Sequence, residues 1–541
     1  MNIFQRKPIS TLIAESHEEG THTLKKTLGP YKLIALGLGA IIGAGLFSIT
    51  GLAAGNYAGP SITISFLIAA TGCCFAGFCY AEFASMLPVA GSAYTYSYAT
   101  LGEFIAWVIG WDLVLEYAVA SATVSISWSR YMVKLLEGFQ VHLPVELTAC
   151  PWEGGIVNLP AAFIVVIMSL LLIRGTESSS WVNVIIVILK ITVVLAFIIL
   201  GWKFIRSDNY VPYIPENSGT WGEFGFSGII RGAAIVFFAF IGFDAVSTAA
   251  QETKNPKRNM PVGIMGSLLI CVGLYVLFAH VMTGVVNYTA FQGRDGIAPV
   301  AIAIDHMGTP LPDGGIQSAF PWLNKAIIMA ILAGYSSVIL VMLLGQSRVF
   351  YSMSRDGLLP DFFSKIHFRF RTPFKSNLLF MLIISVCALF IPATVAGELT
   401  SIGTLLAFII VSIGILVMRK KMPDAPRVFK VPGVPVVPLL GISICLFMMV
   451  FLPFDTWIRL ILWMMIGHNI YTFYGSKRSK LGAKEKSNLL SWIGLSIALL
   501  LTLFVVVHQA QIGWEYMDIK SFFLLAVAVG HLVLYGVRLI I

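Results

Sequence analysis

Residues 40–47 read Ala40-Ile41-Ile42-Gly43-Ala44-Gly45-Leu46-Phe47, in the middle of the apolar run 31–54. Glycine in an apolar helix lets a second helix approach closely, or lets the helix stop and restart. Gly39 and Gly43 have the spacing of a packing face, so close approach is one reading. The other is an unwound segment at bilayer depth, tolerated only where it is buried in protein or lines a cavity. Freed amides there can hold a carboxylate. A second stretch, Phe237-Phe238-Ala239-Phe240-Ile241-Gly242-Phe243-Asp244, interrupts a later run in the same way. Two interrupted segments at corresponding places in two halves point to a transport site.

Composition agrees with a membrane protein. Of 541 residues, 57% are hydrophobic and 12% charged, with a mean hydropathy of +0.85. Such values exclude a water-soluble domain. The net charge of +9 sits in short loops, so it reports orientation rather than nucleic-acid binding. Seven cysteines show no CxxC pair and read as small packing residues. Residues 1–32 are polar and basic without the pattern of a removable signal peptide.

Apolar runs of spanning length start near Tyr31, Pro60, Gly102, Asn158, Trp181, Phe226, Pro261, Lys325, Ser376, Glu398, Gly433, Thr456, Asn488 and Ser521. They predict an all-α integral membrane protein of about fourteen transmembrane helices. Lysine and arginine concentrate in the loops on the side of the two termini, which predicts that both are cytoplasmic. The longer outer loops, 138–157 and 287–322, show no helical periodicity. A broken run followed by four whole ones, twice over, is the arithmetic of a five-plus-five inverted repeat, since an odd number of crossings turns the second unit over. The expected organisation is a cytoplasmic segment 1–30, a transport core 31–421 with broken first and sixth helices, helices 433–475, and two additional helices in 488–541.

Buried charges carry the chemistry. Lys190 lies near the middle of the fifth run, where an ammonium costs about 2.5 to 3.5 kcal/mol. It is either a static lysine satisfied by carbonyls at a helix break, or a group that exchanges a proton as its surroundings alternate between wet and dry. It would also stand in for a sodium ion, holding the broken first run against the eighth. Glu116, with Asp112 one turn away, must face away from lipid. It is a candidate for a proton relay, for pairing with Lys190 or for attracting a cationic substrate. Asp244 follows the second break, where capping the restarted helix is its expected role. Glu82, Glu252, Arg348, Arg355 and Asp356 lie near cytoplasmic ends, as gating pairs or interface charges. Gly37-Leu-Gly39-Ala-Ile-Ile-Gly43 has the wrong spacing for a dinucleotide fingerprint, and Walker A, GxSxG and HExxH motifs are absent from the sequence. No enzyme, metal or cofactor is expected.

Ile41-Ile-Gly-Ala-Gly-Leu-Phe47, Tyr80-Ala-Glu-Phe83, Pro88-Val-Ala-Gly-Ser-Ala-Tyr-Thr-Tyr96, Gly242-Phe-Asp-Ala-Val-Ser-Thr248, Asn255-Pro-Lys-Arg-Asn-Met-Pro261 and Ser354-Arg-Asp-Gly-Leu-Leu-Pro360 together resemble the amino acid–polyamine–organocation superfamily. Within it the chain is most similar to bacterial members of the cationic amino acid transporter family, which have a fourteen-helix form. The resemblance implies alternating access, and an amino acid site between the first, third, sixth and eighth helices. It implies that the Ile41 carbonyl and the carbonyls of Phe238, Ala239 and Ile241 hold the substrate ammonium. The amides of Ala44 and Gly45 hold the carboxylate, with the Phe238 ring as a gate. Gly43 and Gly242 mark the breaks, Ser336 and Ser337 match sodium-binding hydroxyl positions of other branches, and Lys190 matches the coupling lysine. Ala44 replaces a Thr or Ser common in relatives. Met342 narrows the side-chain end of the pocket, which suits a small neutral side chain better than arginine or lysine.

The expected function is proton-coupled uptake of small neutral or cationic L-amino acids across the cell membrane. The alternatives are a non-transporting amino acid sensor, or an uncoupled facilitator or exchanger. The expected partners are the amino acid, protons, membrane lipid and a small single-span membrane protein, with no nucleic acid.

Overall fold

The computed structural model describes residues 3–17, 28–89, 91–292, 299–310, 316–368, 370, 372–481, 488–512 and 519–540. Ala90 of the 88–96 motif and the loop cations Lys25, Lys26, Arg294, Arg369, Arg371, Lys484 and Lys486 fall outside them. Each of the fourteen apolar runs lies on a helix. Among the described residues, nine helical stretches are long and apolar enough to cross a membrane. One of them, Pro30–Met86, is 57 residues long. At about 1.5 Å per residue that is far more than one bilayer crossing, and Gly59, at φ +60°, divides it. Leu159–Arg174 and Phe374–Phe390 are apolar but shorter than these nine.

Proline and glycine set the helix boundaries. Pro30, Pro256 and Pro321 occupy first-turn positions, where a missing N–H costs nothing. Asn158 caps Leu159–Arg174 by accepting the Ala161 amide at 3.3 Å.

Two expectations need correcting. The loop 287–322 is not featureless: it holds the helix Pro299–Asp305 and an antiparallel pair, Gly308–Pro310 with Ile316–Ser318. Seven residues are too few to show a periodicity. The third run is also not a uniform α-helix, because Leu115–Val119 is a π-turn. The i,i+4 register between Asp112 and Glu116 is therefore widened.

The charges of the 82, 252, 348 and 356 region form buried pairs. Arg348 Nη2 donates to Glu252 Oε1 at 2.6 Å, and Lys7 Nζ to Asp356 Oδ1 at 2.6 Å. The fully buried Glu82 accepts from Arg419 at 3.0 and 2.6 Å, Arg427 at 3.2 Å and the Val431 amide at 2.7 Å. It thus ties the second run to the loop after the tenth. Removing one partner of a buried pair strands the other. Glu82→Gln is expected to destabilise the protein by about 3 kcal/mol, read as a fall in the thermal denaturation midpoint in detergent. An unchanged midpoint would contradict this role.

Candidate functional site

The first helix, Pro30–Ile41, stops at Ile42, whose ψ of 102° leaves the helical region. It restarts through a π-turn, Gly45–Ile49. The first-turn amides of a restarted helix have no intrahelical partner, so those of Ala44 and Gly45 are donors in search of an acceptor. In the sixth run, Gly225–Val236 tightens to a 3₁₀ turn at Phe237–Phe240. Ile241 is extended, Gly242 has φ +110°, and a short helix resumes at Ala245–Thr248. Gly242 is the position where only glycine fits the backbone without strain. Gly43 does not serve that purpose: it makes room for Val338, whose Cγ2 would lie 2.7 Å from a Cβ at 43. Gly39 gives way similarly to Asn183. The packing reading therefore holds for Gly39 and Gly43, and the breaking reading for the segment they flank.

The two breaks touch. A Cβ at Gly45 would stand 2.2 Å from the Ala239 Cα, and one at Gly242 would meet the Ala40 Cβ at 2.9 Å and the Met342 Cε at 2.8 Å. Met342, buried on the eighth run, thus sits at the sixth-run break. Phe238 is 6% exposed beside it in sequence, and its carbonyl accepts the Ile241 amide at 3.3 Å. The Ile41 carbonyl, assigned above to the substrate ammonium, accepts instead from the Tyr275 hydroxyl at 2.8 Å. That leaves one lone pair for any ligand.

Lys190 is 1% exposed, and its Nζ donates to the carbonyls of Gly39 and Ile42, both at 2.7 Å. These are unpaired carbonyls at the C-terminal end of the first helix, where a cation is favoured. Pairing with Glu116 is thereby overturned, because carbonyls take the ammonium. The lysine stem also packs on Gly334 of the eighth run. Ser337 reaches the same place, donating to Asn183 Oδ1 at 2.6 Å and to the Gly39 carbonyl at 3.4 Å. Ser336 does not: its hydroxyl returns to Leu332 in its own helix at 2.9 Å.

Glu116 is fully buried beside Asp244, Asp112 and Thr404, and among the described residues neither carboxylate oxygen has a close hydrogen bond. The expected cap at Asp244 is not made. Its Oδ2 accepts instead from the Tyr117 hydroxyl at 2.5 Å, because the π-turn at 115–119 turns Tyr117 inward along with Glu116. Tyr117, Asn183 and Tyr275 are the residues that sequence reasoning missed. Asn183 carried a signal, since it lies seven positions before Lys190 on the same face of a largely apolar run. Among the described residues, no group of three or more His, Cys, Asp or Glu side chains is placed to hold a metal ion.

An amino acid permease family model matches residues 28–473, which contain both breaks and Lys190. The chain belongs to the amino acid permease family. It lies within the amino acid–polyamine–organocation superfamily, and is a multi-pass membrane transporter rather than an enzyme. The chain is 45% identical over 484 residues to the branched-chain amino acid permease BcaP of Bacillus subtilis, covering 89% of this chain and 99% of that one. It is 41% identical over 482 residues to the methylthioribose transporter of the same organism, with coverage of 89% and 99%. Cationic amino acid transporter 4 of Arabidopsis thaliana, vacuolar, is 37% identical over 409 residues, or 75% of this chain and 65% of that one.

Proposed function

We propose that the protein imports an L-amino acid with a neutral side chain, coupled to a proton through Lys190. The observation that carries this reading is the contact between the two breaks, at Gly45 with Ala239 and at Gly242 with Ala40. A free α-amino acid needs donors for its carboxylate and acceptors for its ammonium a few ångströms apart. The Ala44 and Gly45 amides supply the first, and the carbonyls of Ala239 and Ile241 the second. Met342 against Gly242 shortens the space for a side chain and disfavours arginine or lysine. In this reading Lys190 clamps the end of the first helix while charged, and frees it on losing its proton. Residues 31–421 act as the inverted-repeat core, and both termini face the cytoplasm of a cell whose plasma membrane holds the protein.

A relative named for methylthioribose makes a thio-sugar a fair rival substrate. The test is uptake of radiolabelled leucine or alanine into proteoliposomes, with and without an inward proton gradient. Unlabelled alanine, serine, leucine, arginine, lysine, ornithine and methylthioribose serve as competitors. Saturable uptake that rises with the gradient and is competed by the neutral amino acids supports the proposal. Gradient-insensitive uptake leaves a facilitator, binding without flux leaves a sensor, and competition by methylthioribose alone overturns the substrate class.

A further inference from the structure

One cavity lies away from the helix breaks, at the seam between the third run and the twelfth and thirteenth. It measures about 330 Å³, and Trp107, Trp111, Met464, His468, Ile497 and Leu500 are among its lining residues. The seam has a packing origin. The last two helices and the twelfth enclose a small core of their own, Ile458, Met465, Leu501, Val505, Leu524 and Ala528, separate from the main core. Two bodies packed separately leave their junction unfilled. The indole N–H groups of Trp107 and Trp111 are spent on the carbonyls of Gly467 and Trp463, both at 2.9 Å.

We propose that this cavity holds an acyl chain of an anionic membrane phospholipid. Its lip residue Leu500, 47% exposed on a membrane-spanning helix, faces the surroundings, and there those surroundings are hydrocarbon. An empty apolar cavity forfeits dispersion contacts that a lipid tail restores. The lining has one polar member, His468, which is 3% exposed. Its Nε2 lies 2.9 Å from the Leu490 carbonyl, so that nitrogen carries the hydrogen, and its Nδ1 has no partner among the described residues.

From His468 the polar side chains continue outward through His531, at 6.4 Å between ring centroids, to Arg538. Arg538 lies over the rings of Phe473 and Tyr535, and its Nη1 is buried without a hydrogen bond among the described residues. No carboxylate pairs with it among the described residues. Lys477 and Arg478 end the adjoining helix. A guanidinium with no carboxylate partner among the described residues, near the end of the last helix and on the His468 side of the apolar cavity, is complementary to a phosphodiester headgroup whose tail occupies that cavity.

The experiment is native mass spectrometry of the full chain released from nanodiscs of phosphatidylcholine with a minority of phosphatidylglycerol. Wild type is expected to retain phosphatidylglycerol well above its bulk share. Leu500→Trp and Ile497→Trp, which fill the cavity, are expected to lower that retention about tenfold, the loss that displacing about two methylenes from a site produces. Arg538→Gln, near the surface, is expected to keep a bound lipid but lose the preference for the anionic one. Equal retention in wild type and both filled variants would overturn the proposal. So would equal retention of the two lipids by wild type, or an undiminished preference for phosphatidylglycerol in Arg538→Gln. If a filled variant fails to fold, the Arg538→Gln comparison decides alone.

Discussion

Lys190→Ala is expected to lower amino acid uptake into proteoliposomes by about a hundredfold or more, and to erase the response to a proton gradient in whatever uptake remains. Two effects combine. The Gly39 and Ile42 carbonyls, each 2.7 Å from the ammonium, lose their donor inside the membrane. A stranded buried acceptor costs about 1 to 3 kcal/mol, and every 1.4 kcal/mol is tenfold in an equilibrium. In the proposed mechanism the first helix then has no clamp whose strength depends on a proton. Lys190→Gln separates these effects: an amide can satisfy one carbonyl but cannot gain or lose a proton in this range. That variant is expected to fold and bind substrate, with uptake indifferent to the gradient. Gradient-driven uptake in Lys190→Gln would leave the lysine as a static strut.

Gly45→Ala is expected to reduce uptake to background, although alanine is the better helix former. The added methyl would stand 2.2 Å from the Ala239 Cα, and backbone cannot swing aside as a side chain can. Overpacking of that kind typically costs about 1 to 3 kcal/mol even where neighbours can yield. Here the cost falls on the relative placement of the two breaks. Gly273→Ala is the control, because nothing lies within 4 Å of a Cβ there and the helix is also membrane-spanning. Uptake should survive in that variant, with a denaturation midpoint at least as high as wild type. Normal uptake by Gly45→Ala would mean that the breaks need not touch during transport.

The all-helical membrane architecture and both interruptions were legible because each is local. Hydropathy marks the runs, and glycine within an apolar run marks a place where backbone or a neighbour needs room. Lys190 was legible because a lone ammonium in hydrocarbon demands a partner. Carbonyls at a helix break were one of the partners expected for it, and the structure bears that out; which carbonyls they are was not legible, since Gly39 and Ile42 lie about 150 positions away in the chain and nothing in their own side chains announces a free carbonyl. Tyr275 was hidden for the same reason, as an aromatic in an apolar helix is usually packing. The reassignment of Asp244 from helix cap to acceptor for Tyr117 depends on a π-turn at 115–119, which no residue pattern there declares.

The central claim is that backbone groups at two abutting helix breaks recognise both charged ends of a free amino acid. Competition against a transported substrate by three forms of the same molecule tests it most directly: the free amino acid, its methyl ester and its N-acetyl derivative. The account predicts that the free form competes, while blocking either the carboxylate or the ammonium weakens competition at least tenfold, as expected when a buried charged hydrogen-bonding group loses its partner. Equal competition by all three would show that the site does not read the zwitterion, and would contradict the account.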